Sequence, residues 1–161
     1  MAETREPILN VVLVRPEIPQ NTGSIARTVA AVRARLHLVG PLGFSLEDRY
    51  LKRAGLDYWP FVDLRTYADW DEFAAQHAAP LKTARFFSAH ARRSYLEAHY
   101  ARGDWLVFGS ETRGLGREFV AAHQSQALRI PIFEPGVRSL NLSNAVSIVL
   151  YEALRSMDAL R

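Results

Sequence analysis

ILNVVLV, residues Ile8–Val14, is apolar at every position except Asn10. A strand with one wet face alternates polar and apolar residues, whereas a strand covered by helices on both faces does not. All-parallel sheets are the ones covered by helices on both faces as a rule, so this run predicts a parallel sheet with Ile8–Val14 inside it.

The flanking pattern agrees. Asn21–Ala34 reads as a helix with Ile25, Val29 and Val32 at spacings of three and four, and Pro19 as a stop just upstream. Further strands are predicted over Leu36–Gly40, Phe61–Leu64, Ala84–Ser88, Asp104–Gly109 and Ala127–Ile132. Helices are predicted over Glu47–Ala54 with Gly55 as its stop, Trp70–His77, Arg117–Gln124 and about Ser143–Met157. Strands alternating with helices across short links give an α/β fold, a parallel sheet flanked by helices on both faces. With 161 residues and 48% hydrophobic content, one core is expected, hence one domain over 1–161.

In the last helix Val146, Ile148, Val149, Leu150, Tyr151 and Leu154 spread around most of the circumference. A helix apolar all round is buried all round. The sheet covers one side, so a second subunit is expected on the other, giving a homodimer; a helix sandwiched within one chain is the alternative.

Composition excludes several chemistries. Without cysteine there is no disulfide framework, thiolate nucleophile or thiolate metal site, and the expected compartment is the cytoplasm. No apolar run reaches the roughly 18 residues of a membrane span, and MAETREP lacks the pattern of an export signal. The histidines His37, His77, His90, His99 and His123 are scattered, so no metal site is expected. The glycine signatures of dinucleotide enzymes, P-loop NTPases and serine hydrolases are all missing. The net charge is +3, and lysine occurs only at Lys52 and Lys82, so the positive charge is carried by arginine. Arginine grips phosphates bidentately and stacks on bases, which suits RNA; codon bias in a GC-rich genome is the bland alternative.

Three segments at strand ends hold the candidate chemistry. NTGSIAR (Asn21–Arg27) places Arg27 near a helix start, a combination suited to a phosphate, or else an ordinary Asn cap with a surface arginine. FGSETRGL (Phe108–Leu115) brings bare backbone at Gly109 close to a ligand and offers Glu111 to ribose hydroxyls or an amine; it also fits a plain glycine-rich turn. IPIFEPGVRSLNLSNAVS (Ile130–Ser147) gathers Ser139, Asn141, Ser143 and Asn144, a density of amides and hydroxyls suited to a neutral heterocycle. Helix capping by Ser143 or Asn144 explains one or two of these residues.

In this order and spacing the three segments resemble the motifs of the SPOUT (SpoU–TrmD) RNA methyltransferases. The start EPILNVVLVRPEIPQNTGSIART and RAGLDYW at Arg53–Trp59 resemble the short members that methylate the wobble ribose of tRNA. The resemblance implies a deep C-terminal trefoil knot over about 84–161 that binds S-adenosylmethionine, and a homodimer with an active site built from two subunits. It implies transfer of a methyl group to the 2′-hydroxyl of C34 or U34 in the anticodon stem-loop of tRNA, leucine tRNAs in particular. The cofactor contacts implied are Phe87, Gly109, Ile130 and Ser139. Catalytic roles fall on Arg27, Asn21, Glu111, Ser139 and Asn141, and substrate contacts on Arg27, Arg138 and Tyr151. A guanidinium is a poor proton acceptor, so Arg27 is expected to grip phosphate and favour hydroxyl ionisation electrostatically. The same chemistry at another tRNA or rRNA position, or a non-catalytic RNA-binding protein that keeps the knot, are the competing readings.

Overall fold

The computed structural model describes residues 5–55 and 57–161. Seven strands form one sheet: β1 (Asn10–Val14), β2 (Arg35–Val39), β3 (Asp63–Tyr67), β4 (Arg85–Phe87), β5 (Arg93–Ser94), β6 (Trp105–Phe108) and β7 (Ala127–Arg129). Their order is β3-β2-β1-β6-β4-β7-β5, and every pairing is parallel. Strand β1 lies between β2 and β6, with Val12 opposite His37 on one side and Val107 on the other.

The near-continuous apolar run is accounted for by two separate cores. Val11 and Leu13 face one side of the sheet, where they join Ile25 and Val29 of α1 (Pro19–Ala31) and Val146, Val149 and Leu150 of α6 (Leu142–Ser156). Val12 faces the other side with Val107, Phe86 and Phe73 of α3 (Trp70–Gln76), and Phe119 of α5 (Arg117–Ala122) packs against them. The remaining helices are α2 (Arg49–Gly55), which packs along α1, and the single turn α4 (Ala78–Leu81).

Boundaries differ from the sequence reading in informative places. Pro19 is the first residue of α1 and not a stop before it; its fixed φ suits a helix start, and its missing N–H would have no partner there. The third strand begins two residues later than expected, at Asp63, and runs to Tyr67. β5, two residues at the sheet edge, is too short to leave a pattern. Helix α1 closes with Arg33 at φ 61, its N–H bonded to Ala30 O at 3.2 Å and that of Ala34 to Val29 O at 3.0 Å. These are the two bonds of a Schellman stop, made with arginine where glycine is usual. In α6, Val146, Val149, Leu150 and Leu154 are buried, while Ile148 and Tyr151 are 38% and 44% exposed, so this chain alone does not cover the helix.

Candidate functional site

Strands β6, β4 and β7 are neighbours, so the loops leaving their C-terminal ends converge. Ligands in open α/β sheets bind outside these ends. Here residues drawn from 87–90, 108–117 and 130–145 line an open cavity of about 640 Å³. Phe87 and Phe108 stack beneath it, with ring centroids 4.8 Å apart and planes 13° from parallel. Ser88, Ser110, Thr112 and Ser139 bring hydroxyls to the lining, and Ile130, Ile132 and Leu142 bring apolar surface. Among the described residues Glu111 is the one carboxylate in the lining, against Arg113, Arg117 and Arg138. The field over the opening is therefore positive and favours a polyanion.

The loop after β6 folds back on itself. Ser110 bridges to Gly114, whose N–H donates to Ser110 O at 2.9 Å, and Gly114 has φ 59. A Cβ on Gly109 would lie 2.0 Å from the Gly114 carbonyl carbon and 2.3 Å from Leu115 N. The requirement for glycine at 109 is thus set by the loop's own backbone. An approaching ligand, the reason inferred from sequence, is not needed to explain it.

A second set of contacts ties this loop to the first segment. Glu17 N–H donates to Glu111 Oε2 at 2.7 Å, Ile18 N–H to Glu111 Oε1 at 3.0 Å, and Asn21 Nδ2 to Glu111 Oε1 at 3.4 Å. In return Thr112 Oγ1 donates to Glu17 Oε1 at 2.6 Å, and this bond leads the effects that hold the Glu17 carboxyl below the usual range. The entry to α1, where the sequence suggested a phosphate, is occupied by the protein's own carboxylate. Asn141 Nδ2 then donates to Asn21 Oδ1 at 3.1 Å, and Asn141 Oδ1 accepts Asn144 N–H at 3.2 Å. Asn141 is therefore the cap of α6, the role the sequence reading gave to Ser143 or Asn144. Ser143 instead donates from Oγ to Ser24 Oγ at 2.9 Å.

The candidate residues fall into two groups. Phe87, Gly109, Glu111, Ile130, Arg138 and Ser139 line the cavity. Asn21 and Asn141 stand behind it in the Glu111–Asn21–Asn141 chain, while Arg27 and Tyr151 lie outside the lining on α1 and α6. Arg27 is exposed, and its Nη2 donates to Tyr58 Oη at 2.8 Å. His90 stood out from sequence only as the histidine nearest a strand end, and Tyr58, Arg113 and Arg117 were given no role; nearness to strand ends or to the RAGLDYW segment is the one signal that could have marked them. Among the described residues no cluster of three or more His, Cys, Asp or Glu could hold a metal ion, and no helix is long and apolar enough to cross a membrane.

Comparison with known proteins places this geometry. The protein named tRNA (cytidine(34)-2′-O)-methyltransferase from Burkholderia ambifaria is 47% identical over 151 residues, 92% of this chain and 95% of that one. A solved structure described as giving insights into the 2-OH methylation of C/U34 on tRNA superposes with a TM-score of 0.84 at 49% identity, over 94% of this chain and 97% of the other. The SpoU methyltransferase AviRb from Streptomyces viridochromogenes, solved with the cofactor AdoMet, has a TM-score of 0.79 at 25% identity, over 95% of this chain and 62% of that one. The model of the SpoU rRNA Methylase family matches residues 8–151, the whole parallel sheet and all three loops of the cavity, and the chain belongs to that family.

Proposed function

We propose that this chain transfers a methyl group from S-adenosylmethionine to the ribose 2′-hydroxyl of the wobble nucleotide, C34 or U34, of tRNA. The observation that carries this reading is the joining of the three segments through Glu111, Asn21 and Asn141 beside the cavity, in a chain nearly half identical to an enzyme named for that reaction. Leucine tRNAs are the first substrates to try.

The cavity fits the cofactor. Its volume of about 640 Å³ lies within the usual range for small-molecule sites, and its aromatic floor and hydroxyl-bearing rim match a flat base joined to a ribose. In this reading Phe87, Gly109, Ile130 and Ser139 hold the cofactor, largely through backbone groups. When bound, the cofactor supplies a methyl carbon on a sulfonium that departs as a neutral thioether. The chain's own part is positioning, which in reactions of this kind supplies much of the barrier reduction. Glu111, Asn21 and Asn141 fix the three segments relative to one another. Arg27 grips RNA phosphate and stabilises negative charge developing on the 2′-oxygen as its proton passes to that phosphate or to water, and Arg138 and Tyr151 contact substrate or the second subunit.

The knot, the single domain over 1–161 and the homodimer belong to the same proposal. Strand β7 is inserted between β4 and β5, which favours threading of the following segment within about 84–161. The exposed apolar residues Ile148 and Tyr151 on α6 favour a two-fold contact there, and the cytoplasm is where such an enzyme would meet tRNA.

Incubation with methyl-labelled S-adenosylmethionine and bulk unmodified tRNA, followed by nuclease digestion, tests the reading. Label is expected as a 2′-O-methyl nucleotide at position 34. Label elsewhere keeps the chemistry and replaces the substrate, while absence of transfer refutes the enzymatic reading.

A further inference from the structure

We propose that Tyr58 is the positioning residue for Arg27, holding its guanidinium in a fixed plane with its charge unneutralised so that the free edge of the fork meets RNA phosphate. The inference rests on the functional reading above and adds a residue to it.

Two contacts define the clamp. Arg27 Nη2 donates to Tyr58 Oη at 2.8 Å, and Arg27 Cζ lies 4.3 Å from the centroid of the Tyr58 ring. An exposed arginine otherwise samples many rotamers, and a ring face together with a hydroxyl fixes both the plane and the rotation of the guanidinium. One of its five N–H donors is used here, which leaves the rest for an anion.

Tyr58 is itself held in place. Trp59, the next residue, packs against the main core, and the turn Trp59–Phe61 is closed by Phe61 N–H to Tyr58 O at 2.8 Å and Val62 N–H to Trp59 O at 3.1 Å. At its other end α1 is tied by Asn21 and Ser24 to the start of α6. The guanidinium is thus fixed relative to the cavity by two routes.

The partner's chemistry is informative. Arg27 makes no ion pair among the described residues, although Arg35, Arg65, Arg155 and Arg161 each do. A carboxylate partner would orient the fork equally well, but it would cancel the charge and compete with phosphate. A phenol orients without neutralising. At 36% exposure Tyr58 also leaves the pair open to a macromolecule.

A double-mutant cycle tests the proposal with Tyr58→Ala, Tyr58→Phe, Arg27→Ala and Arg27→Ala/Tyr58→Ala. Each is assayed for kcat, for Kd of a tRNA anticodon stem-loop, for Kd of S-adenosylhomocysteine and for melting temperature. Tyr58→Ala is expected to lower kcat about tenfold, with cofactor affinity and melting little changed, and Tyr58→Phe, which keeps the ring, to recover to within about threefold of wild type. In the Arg27→Ala background, removing Tyr58 is expected to change kcat by less than about twofold. Equal losses from Tyr58→Ala in both backgrounds overturn the proposal, as does loss of cofactor binding in step with kcat. Should the wild-type protein methylate no tRNA, the functional reading fails separately. The same cycle is then read from stem-loop Kd, where coupling between the two residues supports the clamp and additivity refutes it.

Discussion

Asn21 and Asn141 stand 120 residues apart in the chain and meet side chain to side chain, Asn141 Nδ2 donating to Asn21 Oδ1 at 3.1 Å. Each amide has a second engagement: Asn21 Nδ2 reaches Glu111, and Asn141 Oδ1 caps α6. The first, second and third segments are therefore joined by consecutive side-chain hydrogen bonds.

This arrangement separates two effects by mutation. Asn141→Ala removes a helix cap and the inter-segment bond, and is expected to cost about 1 kcal/mol of stability together with a loss of methyl transfer. Asn21→Ala leaves the cap intact, so a similar activity loss is expected at a smaller stability cost. The double variant should lose little more activity than the worse single one, because both break one connection. Urea unfolding and turnover measured on all three decide it; activity losses that simply multiply would show that the asparagines act independently.

Gly109→Ala is expected to displace the loop after β6. The added Cβ would sit 2.0 Å from the Gly114 carbonyl carbon, and backbone cannot rotate away as a side-chain tip can. Calorimetric titration with S-adenosylhomocysteine should show at least about a tenfold weaker Kd, since geometry around a bound group tolerates little error. Gly136→Ala is the control: its Cβ would meet only the end of the Glu134 side chain at 3.3 Å, and binding should persist. Unchanged affinity in Gly109→Ala would place the cofactor away from this loop.

The sheet was legible because its signal is local. ILNVVLV needs no partner to announce that both faces are covered, and β1 does carry Val11 and Leu13 into one core and Val12 into the other. The second and third segments were legible as well, since loops at strand ends concentrate small and polar residues, whereas the first, Asn21–Arg27, lies within α1. What could not be read was how they connect. Nothing in FGSETRGL says that Glu111 turns to the amides of Glu17 and Ile18, because that choice depends on β6 lying beside β1. The tie between Arg27 and Tyr58 was hidden for the same reason: it depends on α2 packing along α1.

Helix α1 stops without a glycine, which hides its end from the sequence and yields a stability prediction. Arg33 occupies the left-handed position of the α1 stop at φ 61. Its side chain is exposed, so replacement removes backbone strain without opening the core. Arg33→Gly is expected to stabilise the protein by about 0.5–1 kcal/mol, the relief of strain exceeding the entropy that glycine adds to the unfolded chain. A urea midpoint that moves down would mean that unfolded-state entropy dominates.

A buried histidine sets the pH response of stability. His37 is 1% exposed, with Nε2 2.9 Å from Asn10 Oδ1 and Nδ1 2.9 Å from Tyr67 Oη, which lies in turn 2.8 Å from His77 Nε2. Asn10 Nδ2 donates to Gly103 O at 3.2 Å, so its Oδ1 is an acceptor and His37 Nε2 carries the proton. Nδ1 must then accept from the Tyr67 hydroxyl, whose oxygen accepts from His77, and the whole chain is satisfied with both rings neutral. Burial lowers the His37 pKa from 6.5 to about 3 and also lowers that of His77. Because the unfolded chain takes up a proton near the ordinary pKa and the folded one does not, stability is complete above that value and falls as pH drops toward 3. The slope approaches about 1.4 kcal/mol per pH unit for His37 alone. The carboxyls held low, Glu17, Glu47 and Glu152, add their losses only in the acid range below, which leaves the window between pH 6.5 and about 5 to the histidines. Urea unfolding at several pH values in that window should show the decline in wild type and a shallower one in His37→Gln, which is itself less stable at pH 7.5. Equal slopes in the two proteins would assign the decline to other groups.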